Sequence, residues 1–282
     1  MTKQFAVVGS PIEHSKSPII HQCAYRVLGL DWNYSAVELT EGRLRQFVET
    51  VDDNWQGLSV TMPLKLEATR LAKSLDEVAD LTGITNTLLK LEDGWRGFNT
   101  DVYGIQKALE GPLSQARLAV TIIGSGATAL SAVFAVHLAN PRSEISLMAR
   151  NRPAAKELMQ RALNAGIKIK LKTFRLFAWK VSLADIVIST LPSSALDEFA
   201  TRIGRIFAAK PRGVLLDVAY NPWPSKFASA WQSNSLPVVS GIEMLIFQAL
   251  AQIRIFTSGD SGQELPNERA VELAIRDSLG LI

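Results

Sequence analysis

Cysteine is nearly absent from these 282 residues. Cys23 stands alone, so no disulfide can close within the chain and no thiolate cluster can hold a metal. Histidine is scarce as well: His14, His21 and His137 are scattered without ligand spacing, and no metal site is expected. There is little net charge, 30 Lys and Arg against 27 Asp and Glu, and no basic run interleaved with aromatics. That pattern argues against nucleic acid as a partner. An unbroken membrane-spanning run is also missing. Leu118 to Ala139 carries no charge and is long enough to cross a bilayer, but Gly124-Ser125-Gly126 divides it into a strand and a helix. The N-terminal Met-Thr-Lys-Gln-Phe-Ala-Val-Val-Gly has too short an apolar run for a signal peptide, so a cytoplasmic protein without membrane contact is expected.

What is present is ordinary globular material, 47% hydrophobic and 20% charged, and enough of it for two cores. Apolar stretches at Phe5–Val8, Trp32–Val37 and Gly57–Thr61 alternate with helical stretches at Pro18–Leu28, Glu41–Val51 and after Pro63. Alternation of this kind predicts a parallel α/β layer. Asn86–Leu91 and Trp95–Asn99 flank Glu92-Asp93-Gly94, a hairpin signal, so the first domain reads as a mixed sheet, mostly parallel. Gly111-Pro112 punctuates the chain before a second alternating region with strands at Leu118–Ile123, Ile145–Ala149, Ile186–Thr190, Val214–Val218 and Val238–Val239.

The stretch Ser59-Val60-Thr61-Met62-Pro63-Leu64-Lys65 passes from strand to helix, with Thr61 a candidate N-cap and Pro63 suited to the first turn. Lys65 then sits where the helix macrodipole is positive. A structural lysine belongs at the other end of a helix; at this end the ammonium is disfavoured, which suits proton transfer. Asn99-Thr100-Asp101 opens another helix, and Asp101 there reads either as a capping acid or as a second functional group. Ser15 and Ser17, in the polar loop after the first strand, are placed to hold a small polar ligand or to cap the helix beginning at Pro18. After Gly241 a long helix carries Gln248 as the polar member of an apolar face, either reaching a ligand or bonded to backbone.

In the second region Gly124-Ser125-Gly126-Ala127-Thr128-Ala129 follows a strand and opens a helix, the context a dinucleotide fingerprint needs. The first glycine permits the tight turn and the second lets backbone approach a pyrophosphate. At the end of the next strand an NAD site would offer an acid to the ribose hydroxyl. The chain has Arg150-Asn151-Arg152 instead, and a guanidinium suits the 2′-phosphate of NADP.

Taken together these pieces resemble the shikimate dehydrogenase family nearly end to end. The likeness rests on Gly9-Ser10-Pro11-Ile12, His14-Ser15-Lys16-Ser17-Pro18, Ser59-Val60-Thr61-Met62-Pro63 with Lys65, Asn86-Thr87-Leu88, Asn99-Thr100-Asp101, Gly124-Ser125-Gly126-Ala127, Tyr220-Asn221-Pro222, and Gly241 with Met244-Leu245 and Gln248, in the family's order. The resemblance implies an α/β protein of two domains. Residues 1–104 and 241–282 would form a mixed, mostly parallel substrate domain, and residues 105–240 a Rossmann-type doubly wound NADP domain, with the active site in the cleft. It implies NADP-dependent, reversible reduction of 3-dehydroshikimate to shikimate, with Lys65 and Asp101 as the catalytic pair. Ser15 and Ser17 would hold the substrate carboxylate, and Thr61, Asn86, Tyr220 and Gln248 its hydroxyls or neighbouring groups. Gly124, Ser125, Gly126, Ala127, Thr128, Arg150, Val218 and Gly241 would line the cofactor. Departures from the family pattern fall at Ser59, at Ala149 and Ala154 around Arg150, and at Val102-Tyr103. An NAD-preferring quinate/shikimate dehydrogenase and a catalytically silent ligand sensor are the competing readings. Monomer and homodimer both remain open.

Overall fold

The structure, a computed structural model, describes residues 2–175, 177–203 and 213–282. It divides into two units, Met1–Gly104 with Leu245–Ile282, and Ile105–Met244. The first unit runs β1 (Lys3–Gly9), α1 (Ser17–Val27), β2 (Trp32–Glu38), α2 (Leu44–Thr50), β3 (Trp55–Val60), α3 (Lys65–Leu71), β4 (Ser74–Leu75), α4 (Glu77–Thr82), β5 (Thr87–Leu91) and β6 (Gly94–Phe98), then enters α5 (Thr100–Ala108). The second continues with α6 (Glu110–Leu113), β7 (Ala119–Ile123), α7 (Ala127–Ala139), β8 (Glu144–Met148), α8 (Arg152–Asn164), β9 (Ile169–Lys172), α9 (Phe177–Ser182), β10 (Ile186–Ser189), α10 (Asp197–Ile203), β11 (Val214–Asp217), α11 (Lys226–Gln232) and β12 (Val238–Ser240). Helix α12 (Gly241–Ser258) leads back into the first unit, which α13 (Glu268–Ser278) completes.

Among the described residues each unit carries a six-stranded sheet. The first has the order β2-β1-β3-β5-β6-β4 and is mixed: β1 is parallel to β2 and β3, whereas β5 is antiparallel to β3 and β6. The chemistry of the connection decides this. Glu92-Asp93, followed by Gly94 at φ 138°, leaves room only for a hairpin, while β1, β2 and β3 are separated by helices and can cross over. Strand β1 is buried on both faces, so its alternate side chains feed two cores. Phe5 and Val7 pack with Ile20, Tyr25, Ile246, Ile253, Val271 and Ile275 from α1, α12 and α13. Ala6 and Val8 pack with Leu44, Leu58, Val60, Leu64 and Ala68 on the side of α2 and α3.

The second sheet, in the order β12-β11-β10-β7-β8-β9, is parallel throughout. Strand order reverses between β7 and β10, the switch point at which doubly wound sheets bind ligands. The two-domain α/β fold, with one mixed and one doubly wound parallel sheet, is as the sequence predicts. No helix among the described residues is long and apolar enough to cross a membrane.

Several local expectations are corrected. Gly111-Pro112 does not separate the units but is absorbed into α6; the division falls at Gly104, inside α5. Helix α2 begins at Leu44 rather than Glu41. Its first turn is held from outside, by the Glu67 carboxylate accepting the N–H groups of Gly42 and Leu44 at 3.0 and 2.9 Å. Strands β4 and β9 and helices α4, α6, α8, α9, α10, α11 and α13 have no counterpart in the sequence reading.

Candidate active site

The loops after β1 and β3 are stitched together by backbone. The Thr61 N–H donates to the Val8 carbonyl at 2.9 Å, and the Ser10 N–H to the Met62 carbonyl at 3.0 Å. A Cβ on Gly9 would lie 2.4 Å from Thr61 Cγ2 and 2.7 Å from the Met62 oxygen, so only glycine allows this approach. The Ser10–Ser17 loop is thereby fixed beside the segment that leads to Lys65.

Lys65 is the first residue of α3, but Thr61 is not its cap. The Met62-Pro63 turn intervenes, Thr61 contributes its carbonyl to the Leu64 N–H at 2.9 Å, and the N-cap position falls on Leu64 without a side-chain bond. Ser17 likewise lies inside α1, whose N-cap is Lys16; the Oγ of Ser15 accepts the Ser17 N–H at 3.3 Å, while Ser17 itself is buried. Thus Pro18 is at the second helical position, not the first.

Lys65 Nζ meets Asp101 Oδ2 at 2.5 Å, with side chains 12% and 2% exposed. Asp101 lies in the first turn of α5, where Asn99 Oδ1 accepts its N–H at 3.1 Å. Asn86, just before β5, donates from Nδ2 to Asp101 Oδ1 at 2.8 Å, and its own Oδ1 accepts the Thr100 N–H at 2.9 Å. Gln248 Oε1 lies 3.4 Å from Asn86 Nδ2. Among the described residues its Nε2 makes no hydrogen bond, so this half-buried amide is turned to a side chain rather than to backbone. Lys65, Asp101, Asn86 and Gln248 therefore form one hydrogen-bonded group, drawn from α3, α5, the start of β5 and α12. Chemically it is an ammonium held by a carboxylate whose other oxygen is pinned by an amide. Tyr103, two residues after Asp101, takes another direction, its ring lying 5.2 Å from the Arg254 guanidinium.

Behind this group runs a buried polar chain that the sequence reading did not find. Tyr34, Ser59, His21, Thr87 and Gln252 are all buried and linked to one another. Burial pushes the His21 imidazole down to about 3, against a hydrogen bond that Nε2–H donates to Gln252 Oε1 and that favours the proton. Burial likewise holds the Tyr34 phenol well above its ordinary range, opposed by hydrogen bonds with Ser59 and Ser17. One signal was available: Gln252 follows Gln248 by four residues, which puts both amides on one face of α12.

In the second unit Gly124 closes the turn after β7 at φ 131°, and a Cβ there would fall 2.2 Å from Thr190 Oγ1, itself bonded to the Ile123 carbonyl. Gly126 is exposed and a Cβ on it would meet nothing within 4 Å. Its position is open toward whatever approaches the start of α7, which has no side-chain cap. Open backbone at a helix N-terminus, at the switch point of the sheet, fits a pyrophosphate. Arg150 follows β8, is exposed, and has no ion-pair partner among the described residues, whereas Asn151 is used as the cap of α8. Val218 and Gly241 touch through backbone, since a Cβ on Gly241 would lie 2.0 Å from the Val218 oxygen. Tyr220 sits half-buried in the loop after β11. That loop is latched by Asp217, also missed in the sequence, which accepts the Ser225 hydroxyl at 2.5 Å; burial pushes the Asp217 carboxyl up.

Known proteins resemble the chain over its full length. A family model described as the shikimate dehydrogenase substrate binding domain matches residues 7–88. A shikimate dehydrogenase (NADP(+)) of Methanothermobacter thermautotrophicus is 30% identical over 275 residues, 96% of each chain. The crystal structure of Mycobacterium tuberculosis shikimate dehydrogenase superposes with a TM-score of 0.84 at 35% identity, covering 99% of this chain and 100% of the other. A Thermus thermophilus shikimate 5-dehydrogenase, solved in complex with NADP(H) and shikimate, gives a TM-score of 0.77 at 25% identity over 98% of this chain and 100% of that one.

Proposed function

The chain belongs to the shikimate dehydrogenase family, and we propose from this that it catalyses the NADP-dependent, reversible reduction of 3-dehydroshikimate to shikimate. The observation that carries the proposal is the Lys65–Asp101 pair, buried in the first unit and tied to Asn86. NADPH, when bound, supplies the hydride. The chain's own task is then to place the ketone and to deliver a proton to its oxygen. In the direction of reduction Lys65 donates that proton from Nζ, and in oxidation it receives the hydroxyl proton. Asp101 Oδ2 keeps Nζ in position, and Asn86, by holding Oδ1, keeps the carboxylate from rotating away.

We assign the substrate to the first unit and the dinucleotide to the second. Ser15 and Ser17 hold the substrate carboxylate by hydroxyl donation; the fixed loop that carries Ser15 up to Ser17 at the first position of α1 supports this. Thr61, Asn86 and Gln248 take its hydroxyls, and the unengaged Nε2 of Gln248 supports a donor role. Gly124, Ser125, Gly126, Ala127 and Thr128 hold the pyrophosphate, Arg150 the 2′-phosphate, and Val218 with Gly241 the remainder of the cofactor. The test is formation of reduced nucleotide with shikimate or quinate, each with NADP or NAD. Shikimate with NADP is expected to give the highest kcat/KM; preference for quinate with NAD would overturn the assignment.

A further inference from the structure

Gln252 is buried 1% exposed in α12, out of reach of solvent, yet its carboxamide makes contacts at both ends. Nε2 donates to the Asn86 backbone carbonyl at 3.3 Å and to Thr87 Oγ1 at 2.9 Å. Oε1 accepts from Ser59 Oγ at 2.9 Å and faces His21 Nε2 at 3.3 Å. The direction of every proton in this chain is settled by two groups that can play only one part. A backbone carbonyl can only accept, so the Asn86 oxygen requires the NH2 end of Gln252 to face it. The Thr87 hydroxyl, accepting from that same NH2, then donates onward to Asn86 Oδ1 at 2.9 Å. At the far end the Thr100 N–H can only donate, and it too points at Asn86 Oδ1. Both demands agree. They leave Asn86 Nδ2 as the group that faces Asp101 Oδ1.

The other half of the network closes consistently. With Oε1 of Gln252 an acceptor, Ser59 donates to it and takes the Tyr34 hydroxyl proton at 2.7 Å. His21 must then carry its hydrogen on Nε2, leaving Nδ1 to face the Tyr25 hydroxyl at 3.5 Å, a neutral imidazole stacked on Tyr34 at 4.0 Å.

We propose that Gln252 is a positioning residue for the proton-transfer pair: acting through Thr87, it fixes the Asn86 amide in the orientation that donates to Asp101. This rests on the assignment of Lys65 and Asp101 as that pair. Were the Asn86 amide to turn over, its oxygen would oppose the carboxylate, and Asp101 would no longer hold Lys65 Nζ in place.

The experiment uses the full chain and follows NADPH formation from shikimate. Gln252→Met removes both donor and acceptor at nearly constant volume, and Thr87→Val removes the relaying hydroxyl. Both are expected to lower kcat by about ten- to a hundredfold, the cost of misplacing a reacting group by a fraction of an ångström to an ångström, with the KM for NADP within about twofold of wild type. Thr87→Ser restores the hydroxyl and is expected to restore kcat. If Gln252→Met does not fold, the Thr87→Val and Thr87→Ser pair decides alone. A Thr87→Val or Gln252→Met enzyme with reduced melting temperature but wild-type kcat per folded molecule would overturn the proposal, as would failure of Thr87→Ser to recover turnover. Failure of the underlying function is distinct: wild type itself would then not oxidise shikimate with NADP.

Discussion

Replacing Lys65 by methionine separates the proposed catalytic use of the ion pair from its structural cost. The substitution keeps the length of the side chain and removes the ammonium, leaving Asp101, 2% exposed, with Asn86 Nδ2 but without its cation. Removing one partner of a buried pair costs roughly 3–5 kcal/mol. The lower end applies here, about 3 kcal/mol, because Lys65 is partly open to solvent and Asp101 keeps a second donor. A loss of that size lowers the melting temperature by roughly 6–12 °C in a unit of this size. Turnover is expected to fall by about 10²–10⁴-fold, the usual worth of a general acid–base. The double variant Lys65→Met with Asp101→Asn removes the unpaired charge while leaving Asn86 an amide oxygen to donate to. It is expected to regain most of the stability and none of the activity. Thermal unfolding and the NADPH-coupled assay on the same samples read both quantities. Near-normal turnover in Lys65→Met with weakened shikimate binding would refute the proton-transfer role, and a double variant no more stable than the single one would refute the electrostatic account.

Arg150→Ala is expected to raise the KM for NADP by about ten- to a hundredfold, a charge-assisted phosphate contact being worth roughly 1.5–3 kcal/mol, with much less effect on NAD; equal losses for both nucleotides would argue against a 2′-phosphate contact. Ser15→Ala with Ser17→Ala should raise the KM for shikimate while leaving NADP affinity intact, steady-state kinetics against both substrates being the check. His21 should make stability pH-dependent. Its imidazole stays neutral in the fold down to about pH 3, whereas the unfolded chain takes up the proton below its ordinary value near 6.5, so stability falls as pH falls through that window. Each pH unit within it is worth up to about 1.4 kcal/mol, and chemical denaturation of His21→Phe between pH 6 and 4 should show a correspondingly shallower slope.

Legibility in the sequence followed the range of the interactions. Lys65 and Asp101 could be picked out because each stands at a helix start, beside proline or capping residues that mark the position locally. The glycines of the β7–α7 turn were legible for the same reason. Thr61 was misread as a cap because nothing local shows that the Met62-Pro63 turn delays α3 to Lys65. Strand β9, Ile-Lys-Leu-Lys, is a short edge strand, and β4 is only two residues long; neither carries enough periodicity to be seen. The Ser59–Gln252 bond joins residues 193 apart, and no local pattern announces such a partner. Asn86 was visible as part of a motif, but what fixes its orientation was not.

The first unit is assembled from two stretches of sequence that flank the second unit, and this sets an order of events during synthesis. Its core needs Phe5 and Ile20 from the beginning together with Ile253, Val271 and Ile275 from the end. The second unit is contiguous and has all its strands once residue 240 has emerged. On the ribosome the dinucleotide-type sheet can therefore close while the N-terminal β1–α5 segment still waits, its apolar faces uncovered, for α12 and α13. A nascent chain stopped before Leu245 would expose the inner faces of α1 and β1 to chaperones or to other unfinished copies, and would lack both Gln248 and Gln252. The hydrogen-bonded group of Lys65, Asp101 and Asn86 is complete only once α12 has brought Gln248 and Gln252 to it.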